Sequence, residues 1–162
     1  MSEQSEAEPD LSFSTAADLR DASAGGNRED DSDDAFTDLR HPDRTFPRAG
    51  GMRYEGATVV ELRPRSESVD EATLASLTRD VLSVDRYRFG DWFDLPLPVF
   101  LVHDDATGDT FRIAVREDAV ELHVRSATGA AGLRAFYDRL VDMADDAAAD
   151  VRGDWRVTRR TD

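Results

Sequence analysis

Between Pro98 and Arg125 the chain alternates apolar and polar residues with a period of two. In Thr110–Arg116, Phe111, Ile113 and Val115 interleave with Arg112, Ala114 and Arg116. In Val120–Arg125, Val120, Leu122 and Val124 interleave with Glu121, His123 and Arg125. That period marks half-buried strands. A two-residue loop at Glu117-Asp118 sets Val115 opposite Val120, Ile113 opposite Leu122 and Phe111 opposite Val124. Every apolar residue then falls on one face, and a slip of one residue would turn half of them to water. Glu-Asp is not a favoured tight-turn pair, so the loop has room for one residue more.

A third strand, Val99–His103, precedes these two. Pairing His103 with Thr110 puts Val102 opposite Phe111 and Phe100 opposite Ile113, and turns Val99 and Leu101 to the second face. Its connection holds Asp104, Asp105, Thr107, Gly108 and Asp109. Gly108 accepts positive φ, and the aspartates can bond local amides.

Helical spacing flanks this meander. Ser68-Val69-Asp70-Glu71 has the form of a capping box, and Leu74, Leu77, Val81 and Leu82 follow at helical intervals. The pattern predicts a helix over about Asp70–Val84. A second helix starts at Thr128-Gly129 and runs to about Asp150. Its stripe is Leu133, Phe136, Tyr137, Leu140, Ala144 and Ala147, with Asp138, Arg139, Asp142, Asp145 and Asp146 mostly opposite. Thr58–Arg63 reads as a short strand ended by Pro64. Tyr87–Leu97 is too punctuated by Gly90 and Pro96 to be a helix. Its Tyr87, Phe89, Trp92 and Phe93 are expected to cap one end of the core or to cover Val99 and Leu101. Trp155–Arg160 is an edge strand or a tail. The fold class that follows is α+β: a mostly antiparallel sheet, built of the meander and one or two further strands, with two helices on one face.

Charge divides the chain. The net charge is −15, and all 20 basic residues are arginine. Residues 1–45 carry 13 acidic residues and 4 arginines. Such a segment cannot bury enough apolar area to offset its ordering entropy. The expected layout is a disordered acidic arm over 1–50 and a single domain over 51–162. Within the arm, Leu11, Phe13 and Leu19, then Phe36 and Leu39, are two short apolar islands. The arm's first residues, MSEQSEAEPD, lack the basic and apolar segments of a signal peptide. No apolar run approaches the ~20 residues that span a bilayer. A cytoplasmic protein with no membrane partner is expected.

Acidic excess, absent lysine and abundant Ala, Asp and Val match a halophilic composition, since molar salt screens charge within about 3 Å. Together with the stretch HDDATGDTFR and the Trp-bearing segment before it, this composition resembles that of small α+β proteins of unknown function from haloarchaea. The resemblance covers about 51–160. It implies the fold class and assigns no functional residue.

The candidate chemistry is sparse. Without cysteine there is no disulfide, thiolate catalysis or Cys-ligated metal. Asp104, Asp105 and Asp109 lack the spacing of a calcium loop. His41, His103 and His123 show no zinc-motif spacing. The glycine pairs do not precede Lys-Ser/Thr as a phosphate loop requires. No catalytic residue, metal or cofactor is assigned. One constellation stands out. The second face of the meander carries Leu101, Arg112 and His123 in one row and His103, Thr110 and Arg125 in the next, with Arg116 beyond. His103, Arg112, His123 and Arg125 are thus the candidate anion-binding residues, set against plain pairing with Glu121 and Glu117.

Three functional readings follow. The first is a non-enzymatic interaction or regulatory module, binding a protein partner or a second copy through a sheet edge. The second is a domain binding an anionic ligand, RNA included, on the Arg/His face, although the strands of that face supply no aromatic residue to stack bases, which argues against nucleic acid. The third is an enzyme assembled from scattered carboxylates, and it needs His103 beside a carboxylate in a pocket.

Overall fold

The computed structural model describes residues 34–91, 98–147 and 153–162. Its elements are β1 (Asp43–Thr45), β2 (Arg53–Glu55), β3 (Thr58–Pro64), α1 (Glu71–Leu82), β4 (Tyr87–Asp91), β5 (Val99–Asp104), β6 (Thr110–Val115), β7 (Val120–Val124), α2 (Ala130–Asp146) and β8 (Trp155–Thr161). Six strands form one antiparallel sheet in the order β4-β5-β6-β7-β3-β8, and β1 pairs with β2 alone.

The meander has the register its alternation dictates. Val115 pairs with Val120, Ile113 with Leu122 and Phe111 with Val124. Phe100 pairs with Ile113, and His103 with Thr110. The Arg116 N–H donates to the Ala119 carbonyl across the Glu117-Asp118 loop, at 2.8 Å. Neither loop residue takes positive φ, so this is not the type I′ turn that short hairpins favour.

Both helices cover the apolar face. Leu74, Leu77, Val81 and Leu82 of α1 and Leu133, Phe136, Leu140 and Ala144 of α2 share one core with Val60, Leu62, Phe100, Val102, Phe111, Ile113, Leu122 and Val124. An aromatic series runs through it: the Phe136 ring centroid lies 6.3 Å from that of Tyr87 and 6.0 Å from that of Phe111.

Four details go beyond the sequence reading. The α1 cap is Asp70, not Ser68: its Oδ1 accepts the Thr73 N–H at 2.8 Å, while Ser68 turns to Ser66. The helix starts at Glu71, so the open third amide belongs to Thr73, within reach of Asp70, and Ser68 lies two residues too early. Tyr87–Asp91, read from the sequence only as non-helical, is an edge strand that sends Tyr87 into the core. Trp92 and Phe93 lie outside the described residues. Trp155–Thr161 is a strand that zips along all of β3, so β8 is the far edge of the sheet.

The fourth detail concerns the arm. Its residues 1–33, with Leu11, Phe13 and Leu19, lie outside the described residues. Residues 34–50 do not form a detached tail. Phe36 is 1% exposed and packs on Tyr137 at 5.7 Å between ring centroids. Arg159 donates to the Thr37 carbonyl, His41 Nε2–H to the Thr128 carbonyl, and the Thr58 N–H to the Arg40 carbonyl. Burying one phenylalanine supplies about 1.5–3 kcal/mol, which together with these hydrogen bonds offsets part of the ordering entropy of a strap whose composition reads as solvated.

Candidate functional site

Among the described residues no helix covers the second face of the sheet, and its rows follow from the registers. Gly90, Leu101, Arg112, His123, Val59 and Arg160 form one row. Arg88, His103 and Thr110 begin the next, which strand alternation continues to Arg125. Arg63 pairs with Arg156 at the other end, and Arg116 flanks Glu121. This face therefore holds seven arginines (63, 88, 112, 116, 125, 156 and 160) against the carboxylates of Glu61, Asp105, Asp118, Glu121 and Asp162. In a chain of net charge −15, that is a local inversion of sign.

At its centre lies a polar chain. Glu121 accepts from Arg116 Nε at 3.0 Å, Arg160 Nη2 at 3.1 Å and His123 Nε2 at 3.0 Å. Arg112 Nη2 sits 3.0 Å from His123 Nδ1. A guanidinium can only donate, so Nδ1 must be the acceptor and Nε2 carries the proton to Glu121. His123 is held as the neutral Nε2–H tautomer. Burial pushes its pKa below the ordinary value, and the Arg112 charge adds to this. Burial alone would raise the Glu121 pKa, but its bonds to Arg116, Arg160 and His123 outweigh that and lower it. Burial also lowers the Arg112 pKa, with the nearby Arg125 charge contributing.

The four residues named from the sequence are thus placed differently from one another. Arg112 and His123 are brought into direct contact, but His123 is buried and uncharged, not an exposed cation. With both ring nitrogens engaged, it has none to offer a substrate. His103 is half-exposed, bonded through Nδ1 to Thr110 Oγ1 at 3.0 Å. Its Nε2 is 3.6 Å from Asp105 Oδ1, beyond hydrogen-bond length, on an open turn. Arg125 lies over the Tyr54 ring at 5.6 Å. Arg112, Arg125 and Arg156 have no carboxylate within ion-pair distance among the described residues.

Sequence reasoning missed Arg63, Arg88, Arg156 and Arg160, because the partners of Thr58–Arg63 and the status of Tyr87–Leu97 and Trp155–Arg160 were open. The alternation of Arg156, Thr158 and Arg160 with Trp155 and Val157 was the available signal. It also missed the β1–β2 hairpin, signalled by Asp43-Arg44-Thr45 and Arg53-Tyr54-Glu55 around Gly50-Gly51.

The meander aspartates disperse. Asp104, fully buried, takes a bidentate pair from Arg86 at 2.8 Å on each oxygen. Burial works to raise its pKa, and the Arg86 bonds together with the Ala106 amide bring it below the ordinary value. Asp105 meets Arg88. Asp109 Oδ2 accepts the Gly132 N–H at 2.7 Å, capping α2 from across the turn. Among the described residues no group of three His, Asp or Glu side chains gathers as a metal site, and no helix is long and apolar enough to cross a membrane. No protein-family model, curated protein or solved structure matches the chain.

Proposed function

We propose that this chain is a non-enzymatic interaction module of a salt-adapted cytoplasm, and that it docks an anionic partner on the arginine-bearing sheet face. The supporting observation is the concentration of seven arginines on the sheet face that no helix covers among the described residues, in a protein otherwise dominated by carboxylates. Internal pairing uses only part of that charge. Glu121 engages Arg116 and Arg160, Glu61 with Asp118 engages Arg63, and Asp105 engages Arg88. Among the described residues no carboxylate pairs with Arg112, Arg125 or Arg156. Positive potential set in a repelling surround directs an anion to one place.

Inorganic polyphosphate, an anion with neither bases nor peptide, tests the docking face. Arginine Nε–Hε resonances of the full chain are followed during titration, at the lowest KCl concentration that leaves the far-UV spectrum unchanged. Arg112, Arg125 and Arg156 should shift, and Arg79 and Arg139 on the helix side should not. Equal shifts on both sides, or none, remove the docking face.

A further inference from the structure

We infer that the β1–β2 hairpin and the adjoining end of the sheet face form a stacking surface for single-stranded nucleic acid. This inference rests on the docking-face reading and names its partner.

Among the described residues, three of the five large apolar side chains that are exposed belong to this one hairpin: Phe46 at 75%, Met52 at 48% and Tyr54 at 38%. A two-stranded hairpin is only marginally stable by itself, and clustered apolar exposure on it marks a contact surface. Arg44 opposes Tyr54 in the ladder, and Phe46 and Met52 stand next in the chain beyond its last pair, Thr45 and Arg53.

Charge accompanies the rings. From Arg40 to Tyr54 the chain carries four arginines and a single carboxylate, Asp43. Arg44 lies 5.9 Å and Arg125 5.6 Å from the Tyr54 ring centroid. Arg125 belongs to the sheet face, so the cation–π contact joins hairpin and face into one surface. An acidic peptide would use the guanidinium groups and leave Phe46 idle. An apolar protein surface would strand the arginines. A single-stranded oligonucleotide offers a π-face and a phosphate at every step, which this mixture of rings and guanidinium groups matches. Stacking also survives molar salt, in which phosphate contacts weaken.

Fluorescence anisotropy of labelled oligouridylate and of labelled polyglutamate, each titrated with the full chain between 0.5 and 2 M KCl, tests the inference; the salt and probe choices follow from the salt dependence of phosphate contacts. Phe46→Ala and Tyr54→Ala replace exposed side chains, and unchanged far-UV spectra verify their folds. Each should weaken oligouridylate binding about tenfold, given the usual worth of one stacked base, without changing the salt slope. Arg125→Ala should reduce that slope by about 0.7. Arg139→Ala on the helix side should leave binding intact. Oligouridylate binding that ignores both aromatic changes yet weakens on Arg125→Ala overturns the stacking surface and leaves the docking face standing. Binding of polyglutamate alone overturns the nucleic-acid assignment and makes the partner an acidic protein. Binding of neither probe overturns both readings.

Discussion

Gly132→Ala is the substitution whose sign the structure decides against local propensity. In an unconstrained helix interior, replacing Gly by Ala stabilises by about 1 kcal/mol. Gly132 is the third residue of α2, and a Cβ there would stand 2.4 Å from Asp109 Oδ2 and 2.7 Å from Asp109 Cβ. The carboxylate can swing away only by giving up the Gly132 N–H, a cap bond worth about 0.5–2 kcal/mol. The Cβ–Cβ contact needs a backbone shift, and overpacking of this kind costs about 1–3 kcal/mol. Less the helix gain, Gly132→Ala should destabilise by about 1–3 kcal/mol, by combining those terms. Urea denaturation of a thermodynamic cycle separates the parts. In an Asp109→Ala background the Cβ–Cβ contact persists, so Gly132→Ala should still destabilise. In an Asp109→Gly background both contacts vanish, and the same change should stabilise by about 1 kcal/mol. Stabilisation by Gly132→Ala in the otherwise unaltered chain would refute the cap and the close approach together.

Ile113→Ala and Leu122→Ala, both at fully buried positions, should each cost about 2–5 kcal/mol. Arg112→Ala, which loses one charge-assisted bond to His123, should cost about 1–2 kcal/mol in the same denaturation assay; a larger loss than either core change would mean that the polar chain, not the apolar face, carries the sheet. Acid should weaken the fold in two stages. The His123 pKa is lowered on folding, so below its ordinary value of 6.5 the unfolded chain binds a proton that the folded chain refuses, and stability falls by at most about 1.4 kcal/mol per pH unit. The Glu121 pKa, lowered from 4.5, adds a further loss as pH falls through its folded value. His123→Gln should abolish the first stage and keep the second, and a first stage that persists in this variant would place the titrating group elsewhere.

The meander was legible because a period of two has one consistent solution when one face is buried. Phe111, Ile113 and Val115 admit a single register with Val120, Leu122 and Val124, and the sheet adopts it. The stripes Leu74–Leu82 and Leu133–Ala144 likewise named the buried sides of both helices. The row that brings Arg112 beside His123 followed from the same register.

What that row does was decided by strands far away in the chain. His123 becomes a buried, neutral ring only because Val59 of β3 flanks it, and Arg160 of β8 reaches Glu121 from 39 residues on. The destinations of Asp104 and Asp109 are also tertiary facts: a guanidinium on another turn and a helix amide 23 residues later. Phe36 shows the same limit. One aromatic residue in a charged segment carries no periodicity, so its place on Tyr137 exists only once α2 is packed. Local alternation specifies which side of a strand meets the core, because that choice is made residue by residue against water. Which charges meet, and which ring is left in the open, depends on loop closures that alternation does not encode.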